Sequence, residues 1–130
     1  MKVDVFPKKC NLCGGEVEFI SNARIYGRPY GSGKCYHCKC CGAFVGTHKQ
    51  RPHEAFGILA NKEMREMKKK CHALFDPMWK RGEMKRYKCY KWLAEKLGIP
   101  VKECHFGYFG MDMLNKAYKI LKEKDNGDEC

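Results

Sequence analysis

The sequence predicts an α+β fold, with a small antiparallel β module at the N-terminus packed against three or four C-terminal α-helices. Three observations carry this expectation. Two cysteine pairs, Cys10-Asn11-Leu12-Cys13 and Cys38-Lys39-Cys40-Cys41, each followed directly by glycine, frame the first third of the 130-residue chain. Next to them, Glu16-Val17-Glu18-Phe19-Ile20 alternates polar and apolar residues, the period of a half-exposed strand. From Asn61 onward apolar residues recur instead at helical spacing.

Two residues between cysteines let one tight turn aim both sulfurs at a common point. Gly14 and Gly42 then tolerate the positive φ that such turns need, leaving backbone N–H groups free to point at the sulfurs. Two such knuckles supply the four thiolates of a closed tetrahedral zinc site, with Zn–S near ~2.3 Å. Cys10, Cys13, Cys38 and Cys41 are therefore the candidate metal ligands, for one structural Zn²⁺. Cys35-x-x-Cys38 has the same spacing but no glycine after it, and its choice strands Cys41; Cys40 lies between knuckle sulfurs and is expected to point away. His48 replaces a ligand, acts as an acid or base near neutral pH, or hydrogen-bonds beside the site, the last being the commoner use of a histidine near a metal.

The remaining elements follow in order. Lys34-Cys35-Tyr36-His37-Cys38 reads as a strand entering the second knuckle and Ala43-Phe44-Val45 as one leaving it. Tyr26-Gly27-Arg28-Pro29-Tyr30-Gly31-Ser32-Gly33 between them is rich in turn formers. Knuckle, strands, loop, knuckle, strand is the order of a zinc ribbon. Asn61 is a plausible N-cap for a helix with Met64, Met67, Cys71, Leu74 and Phe75 on its apolar face, ended by Asp76-Pro77. A further helix from about Glu83 to Leu97 carries Tyr87, Tyr90, Leu93, Ala94 and Leu97, and Gly98 and Pro100 terminate it. His105 to Gly110 reads as an aromatic-glycine turn. The last helix, about Met111 to Lys122, carries Leu114, Ala117, Tyr118 and Leu121. Residues 1–52 thus form the zinc-ribbon module, 53–123 a helical region packed on it through Phe44, Trp79 and Trp92, and 124–130 an acidic, solvated tail. The ribbon is too small to hold together on apolar area alone. Metal coordination would contribute about 10 kcal/mol or more.

Composition narrows the function classes. The formal charge of +11 favours phosphate polymers or acidic partners. Ten cysteines could belong to a secreted disulfide scaffold. However, no apolar run follows Met1-Lys2-Val3-Asp4 as in a signal peptide, and none approaches the ~20 residues that span a bilayer. A reducing cytoplasm fits better. No nucleophile elbow, phosphate-binding loop, dinucleotide fingerprint or zincin motif is present. Four thiolates leave a zinc ion no open position for metal hydrolysis, and with no catalytic constellation in the sequence no enzyme is expected.

Several stretches are similar to a known family: Cys10-x-x-Cys13-Gly14, Ile25-Tyr26-Gly27-Arg28-x-Tyr30-Gly31, Cys38-x-x-Cys41-x-Ala43-Phe44-Val45-Gly46-Thr47-His48, His72 to Trp79, Met84 to Ile99, and Glu103-Cys104-His105-Phe106-Gly107. Over nearly its whole length the chain resembles the zinc-finger-containing proteins of bacteria, phages and mobile elements. The resemblance implies a bacterial or phage cytoplasmic protein with a four-cysteine zinc site, and implies no particular activity.

Lys62 to Lys91 holds eleven Lys or Arg against four Asp or Glu. This is either an ordinary solvated face or a surface that tracks phosphate. Arg24, Tyr26, Arg28, Tyr30, Lys34 and Tyr36 interleave aromatics with cations, a pattern that stacks bases while holding phosphates. Together with Lys62, Arg65 and Lys69 they are the candidate nucleic-acid contacts. The expectation is a zinc-binding, nucleic-acid-associated accessory protein of phage or mobile-element origin. The alternative is a protein-interaction module that inhibits a host nucleic-acid enzyme. Trp92 to Pro100 resembles the first helix and turn of a helix-turn-helix, but Gly107 and Gly110 interrupt the place of a recognition helix.

Overall fold

The computed structural model of the chain describes residues 3–82 and 84–127. They fall into two compact units, one running to Lys62 and the other starting at Glu63.

The first unit is built on a three-stranded antiparallel sheet in the order β1 (Val17–Ser21), β2 (Lys34–Cys38), β3 (Phe44–Gly46). The expected strands form, β2 at its expected bounds and β1 and β3 one residue later than expected: Glu16 makes an isolated bridge to Lys9 and β1 proper begins at Val17. Phe19 pairs with Tyr36 and Tyr36 with Val45, while Glu18 pairs with His37 and His37 with Phe44. Directly paired residues point to the same side of a sheet. One face therefore carries Val17, Tyr36, Cys38 and Val45. These pack with Cys10, Ala43, Ala55 and Leu59 into the unit's core.

The β1–β2 connection holds a single helical turn, α1 (Ala23–Tyr26), closed by Gly27 at φ 83°. Asn22, only 5% exposed, braces it. Its Nδ2 donates to the Tyr30 carbonyl at 2.6 Å and its Oδ1 accepts from the Tyr30 N–H at 3.0 Å. After β3 the chain returns along the sheet. Thr47 bridges Ala55, and Phe44 bridges Ala60 through N–H···O bonds of 3.2 and 3.0 Å. Asn11, inside the first knuckle, clamps the backbone of Leu59 with bonds of 3.0 and 2.9 Å. Residues 53–61 thus belong to the sheet's unit by hydrogen bonding.

The second unit contains α3 (Arg86–Leu97), α4 (Met111–Gly127) and all of α2 (Lys62–Lys80) but its first residue. Contrary to expectation, α2 does not stop at Asp76-Pro77. Proline removes only one donor, and here it sits in the last turn, where little helix remains to break. Asp76 accepts from Trp79 Nε1 at 3.3 Å and faces His72 Nδ1 at 3.4 Å. Met64, Cys71, Phe75 and Met78 are buried. In α3 the buried residues are Cys89, Leu93, Ala94 and Leu97, and Tyr87 is exposed. The predicted stripe had the right period but took the tyrosine over the smaller thiol. Glu83, its expected first residue, lies outside the described residues; the helix begins at Arg86 and ends at Gly98, φ 72°. The expected aromatic turn is a 3-10 turn, Phe106–Tyr108, that is part of the core: Phe106 packs on Phe75 (5.3 Å) and Phe109 (5.9 Å). Burying each such ring contributes ~1.5–3 kcal/mol. Leu114, Ala117 and Leu121 of α4 are buried. The helix continues past Lys122 to Gly127, so the start of the expected acidic tail is helical; residues 128–130 lie outside the described residues.

Candidate metal centre

Both knuckles are closed by the same hydrogen bonds. The N–H of Cys10 donates to the Gly15 carbonyl (2.8 Å) and that of Gly14 to Cys10 (2.9 Å). In the second knuckle the N–H of Cys38 donates to Ala43 (2.8 Å) and that of Gly42 to Cys38 (3.1 Å). Gly14 and Gly42 occupy the equivalent positions at φ 76° and 82°, a region that side chains other than glycine adopt at a cost. The turn turns N–H groups onto sulfur: Leu12 onto Cys10 Sγ (3.3 Å), Gly15 onto Cys13 Sγ (3.3 Å), and Cys40 and Cys41 onto Cys38 Sγ (both 3.4 Å).

The sulfurs of Cys10, Cys13, Cys38 and Cys41 lie within 4.8 Å of one another. Cys10 to Cys41 is 3.7 Å and Cys13 to Cys38 is 3.5 Å. A tetrahedron with metal–sulfur bonds of ~2.3 Å has edges of about 3.8 Å, so these two sulfur–sulfur distances fit a metal-sized hole. Cys10 and Cys38 are buried, whereas Cys13 and Cys41 reach the surface. The knuckles are joined by Lys39, whose N–H donates to the Glu16 carbonyl (2.9 Å) and whose Nζ pairs with the Glu16 carboxylate (3.3 Å). Gly15 lets them touch. A Cβ there would meet Cys40 Cβ at 2.7 Å and the sulfurs of Cys38 and Cys13 at 3.1 and 3.2 Å.

The thiols are unequal as acids. The N–H of Cys41, with help from that of Cys40 and from the neighbouring thiols, pulls Cys38 down to about 6 against the cost of burial. The Ala43 N–H favours the Cys41 thiolate too. It is outweighed by burial and by the thiols of Cys13, Cys38 and Cys10, which push Cys41 up to about 12. Four sulfurs this close cannot all ionise without a cation among them.

The structure also places the residues whose role was open. Cys35 is buried three residues before Cys38, hence on the opposite sheet face, where it pairs with Ile20 and Gly46. Burial raises its thiol, aided by the Glu18 charge. Cys40 is exposed and outside the sulfur cluster. His48 is not beside the sulfurs. β3 leaves the second knuckle and carries the chain toward the far end of β2, so His48 ends with its ring edge-on to Phe56 at 5.8 Å.

Of the candidate nucleic-acid contacts in this unit, Tyr26 and Tyr30 are 55% and 72% exposed, with ring centroids 5.9 Å apart. Arg24 is exposed and 3.6 Å from Glu18, whose carboxyl is held low chiefly by its hydrogen bond to His37. Arg28 is exposed, and Lys34 lies 5.9 Å above the Phe19 ring. Tyr36 cannot stack on a base. It is buried, and its hydroxyl donates to the His53 carbonyl at 2.5 Å. Lys62 and Lys69 are exposed on α2 and Arg65 is half-buried there. Asn11 and Asn22, which brace a knuckle and the tyrosine loop, were not singled out from sequence. An asparagine in a turn-rich stretch is a signal too common to mark them.

Paired glycine-closed knuckles at the mouth of a short antiparallel sheet define a four-thiolate metal module. The chain belongs to the zinc-finger-containing domain family, whose profile matches residues 6–124. Comparison with curated proteins and with solved structures gave no match. No helix among the described residues is long and apolar enough to cross a membrane.

Proposed function

We propose that this is a zinc-binding, nucleic-acid-associated accessory protein of phage or mobile-element origin, working in the cytoplasm. Zinc is the reading because an all-thiolate tetrahedral set suits it, and four thiolates leave it no open position for catalysis. The metal is then structural and supplies no hydrolytic chemistry. The origin rests on the family resemblance. The reducing compartment is the one in which four thiolates stay available to a metal.

One observation carries the nucleic-acid reading. Tyr26 and Tyr30 stand out from a loop that buried Asn22 holds in shape, with Arg24 and Arg28 beside them and a net charge of +11 behind them. Exposed rings on a braced loop are stacking platforms, worth ~1–3 kcal/mol per base, and the cations meet the phosphates. The test is fluorescence anisotropy with labelled single- and double-stranded DNA and RNA at 50 and 200 mM salt. Binding that weakens steeply with salt, and a ~5- to 150-fold loss in Tyr30→Ala, are expected. No binding at low salt refutes the reading. A stoichiometric protein retained from host lysate after nuclease treatment would replace it with an interaction module.

A further inference from the structure

Trp79 lies near the end of α2, half-buried, and two cations approach its ring. Lys80 Nζ is 5.6 Å and the Arg86 guanidinium 5.1 Å from the ring centroid. The guanidinium also lies 5.7 Å from the centroid of Tyr90, one turn further along α3. Arg86 is thus positioned by two rings. Lys80 and Arg86 are exposed, and among the described residues neither has a carboxylate partner. Asp76, which Trp79 Nε1 reaches at 3.3 Å, is engaged by that indole and by His72. Two like charges gathered on one indole repel each other, and an anion between them removes that cost.

We propose that Lys80 and Arg86, held on Trp79 and Tyr90, form a phosphate-binding site for a nucleic-acid strand on the helical unit. The inference rests on the nucleic-acid reading above and places a contact that reading did not contain. A guanidinium held in place presents its N–H fork as a unit, which suits phosphate oxygens. The rings beside it offer apolar surface to the sugar and base that follow a phosphate. An acidic side chain would satisfy the fork but leave the rings without a partner.

The experiment uses the full zinc-loaded chain and a labelled single-stranded oligonucleotide. Each phosphate contact to a single strand adds about 0.7 to the salt slope and, at 50 mM salt, about 8-fold in affinity. Arg86→Gln and Lys80→Gln are each expected to weaken binding about 8-fold and to flatten the slope by about 0.7, with thermal melting unchanged. Arg86→Lys is expected to fall between Arg86→Gln and the parent, because it keeps the charge and loses the fork. In a Trp92→Phe protein, Trp79 is the sole tryptophan, and its emission should change saturably with the anisotropy midpoint. Parent-like affinity and slope in both glutamine variants would overturn this site while leaving the nucleic-acid reading standing. So would an unchanged Trp79 emission, or a polyglutamate peptide shifting that emission where the oligonucleotide does not. A parent protein that binds no strand removes both.

Discussion

Gly15→Ala tests whether the two knuckles meet as described. The backbone of Gly15 is not in the left-handed region, so alanine meets no torsional obstacle there, and only space decides the outcome. The added Cβ would lie 2.7 Å from Cys40 Cβ, well inside contact distance, and 3.1 and 3.2 Å from the sulfurs of Cys38 and Cys13. Cys40 Cβ is anchored to its backbone and cannot swing aside as the end of a long side chain would. The knuckles must separate. Overpacking of this kind costs about 1–3 kcal/mol. Since the strain falls on the two sulfurs that lie 3.5 Å apart, it should appear as a metal affinity lowered about 5- to 150-fold. Competition with a chromogenic zinc chelator measures it. Gly110→Ala, at a position with nothing within 4 Å and ordinary φ, is the neutral control. If Gly15→Ala holds zinc as tightly as the parent, the knuckles do not touch at this point and the reasoning fails.

Three further outcomes follow from the same geometry. Cys38→Ser should abolish zinc retention and unfold the first unit, because a structural site supplies folding energy outright; circular dichroism with elemental analysis reads both. Cys35→Ser and Cys40→Ser should each keep one zinc per chain, and loss of metal from either would redraw the ligand set. In the helical unit, burial raises the thiols of Cys71 and Cys104 to about 11. The unfolded thiols ionise first, near pH 9, so these groups stabilise the fold fully below that pH and the contribution is lost as pH rises toward 11. The slope is about 1.4 kcal/mol per pH unit for each thiol. Denaturant titrations at pH 8 and 10.5 should show the loss, with a smaller one in Cys104→Val; equal losses in both proteins would count against it.

Much of the metal site is legible in the sequence because a knuckle is local. Two sulfurs three residues apart, closed by a glycine, specify their own turn, and the hydrogen bonds within Cys10–Gly15 and Cys38–Ala43 need nothing from the rest of the chain. Strands and helices showed in their periods for the same reason. Long-range pairing was hidden. Whether Cys35 could replace Cys41 depended on the sheet face it occupies, which only the register with Ile20 and Gly46 settles. Likewise the direction of β3 took His48 away from the sulfurs, and the hydroxyl bond to His53 turned Tyr36 inward.

By itself, then, the sequence determined the identity of the knuckle thiols, the order of strands and helices, and the net charge of +11, all properties of composition or of neighbours within a few positions. Tertiary structure decided what depends on residues distant along the chain coming together. It carried α2 through Pro77, turned Phe106 and Phe109 into core, and set Lys80 and Arg86 against one indole. The physical reason is that short-range patterns fix backbone shape, whereas burial and pairing are settled by what packs opposite.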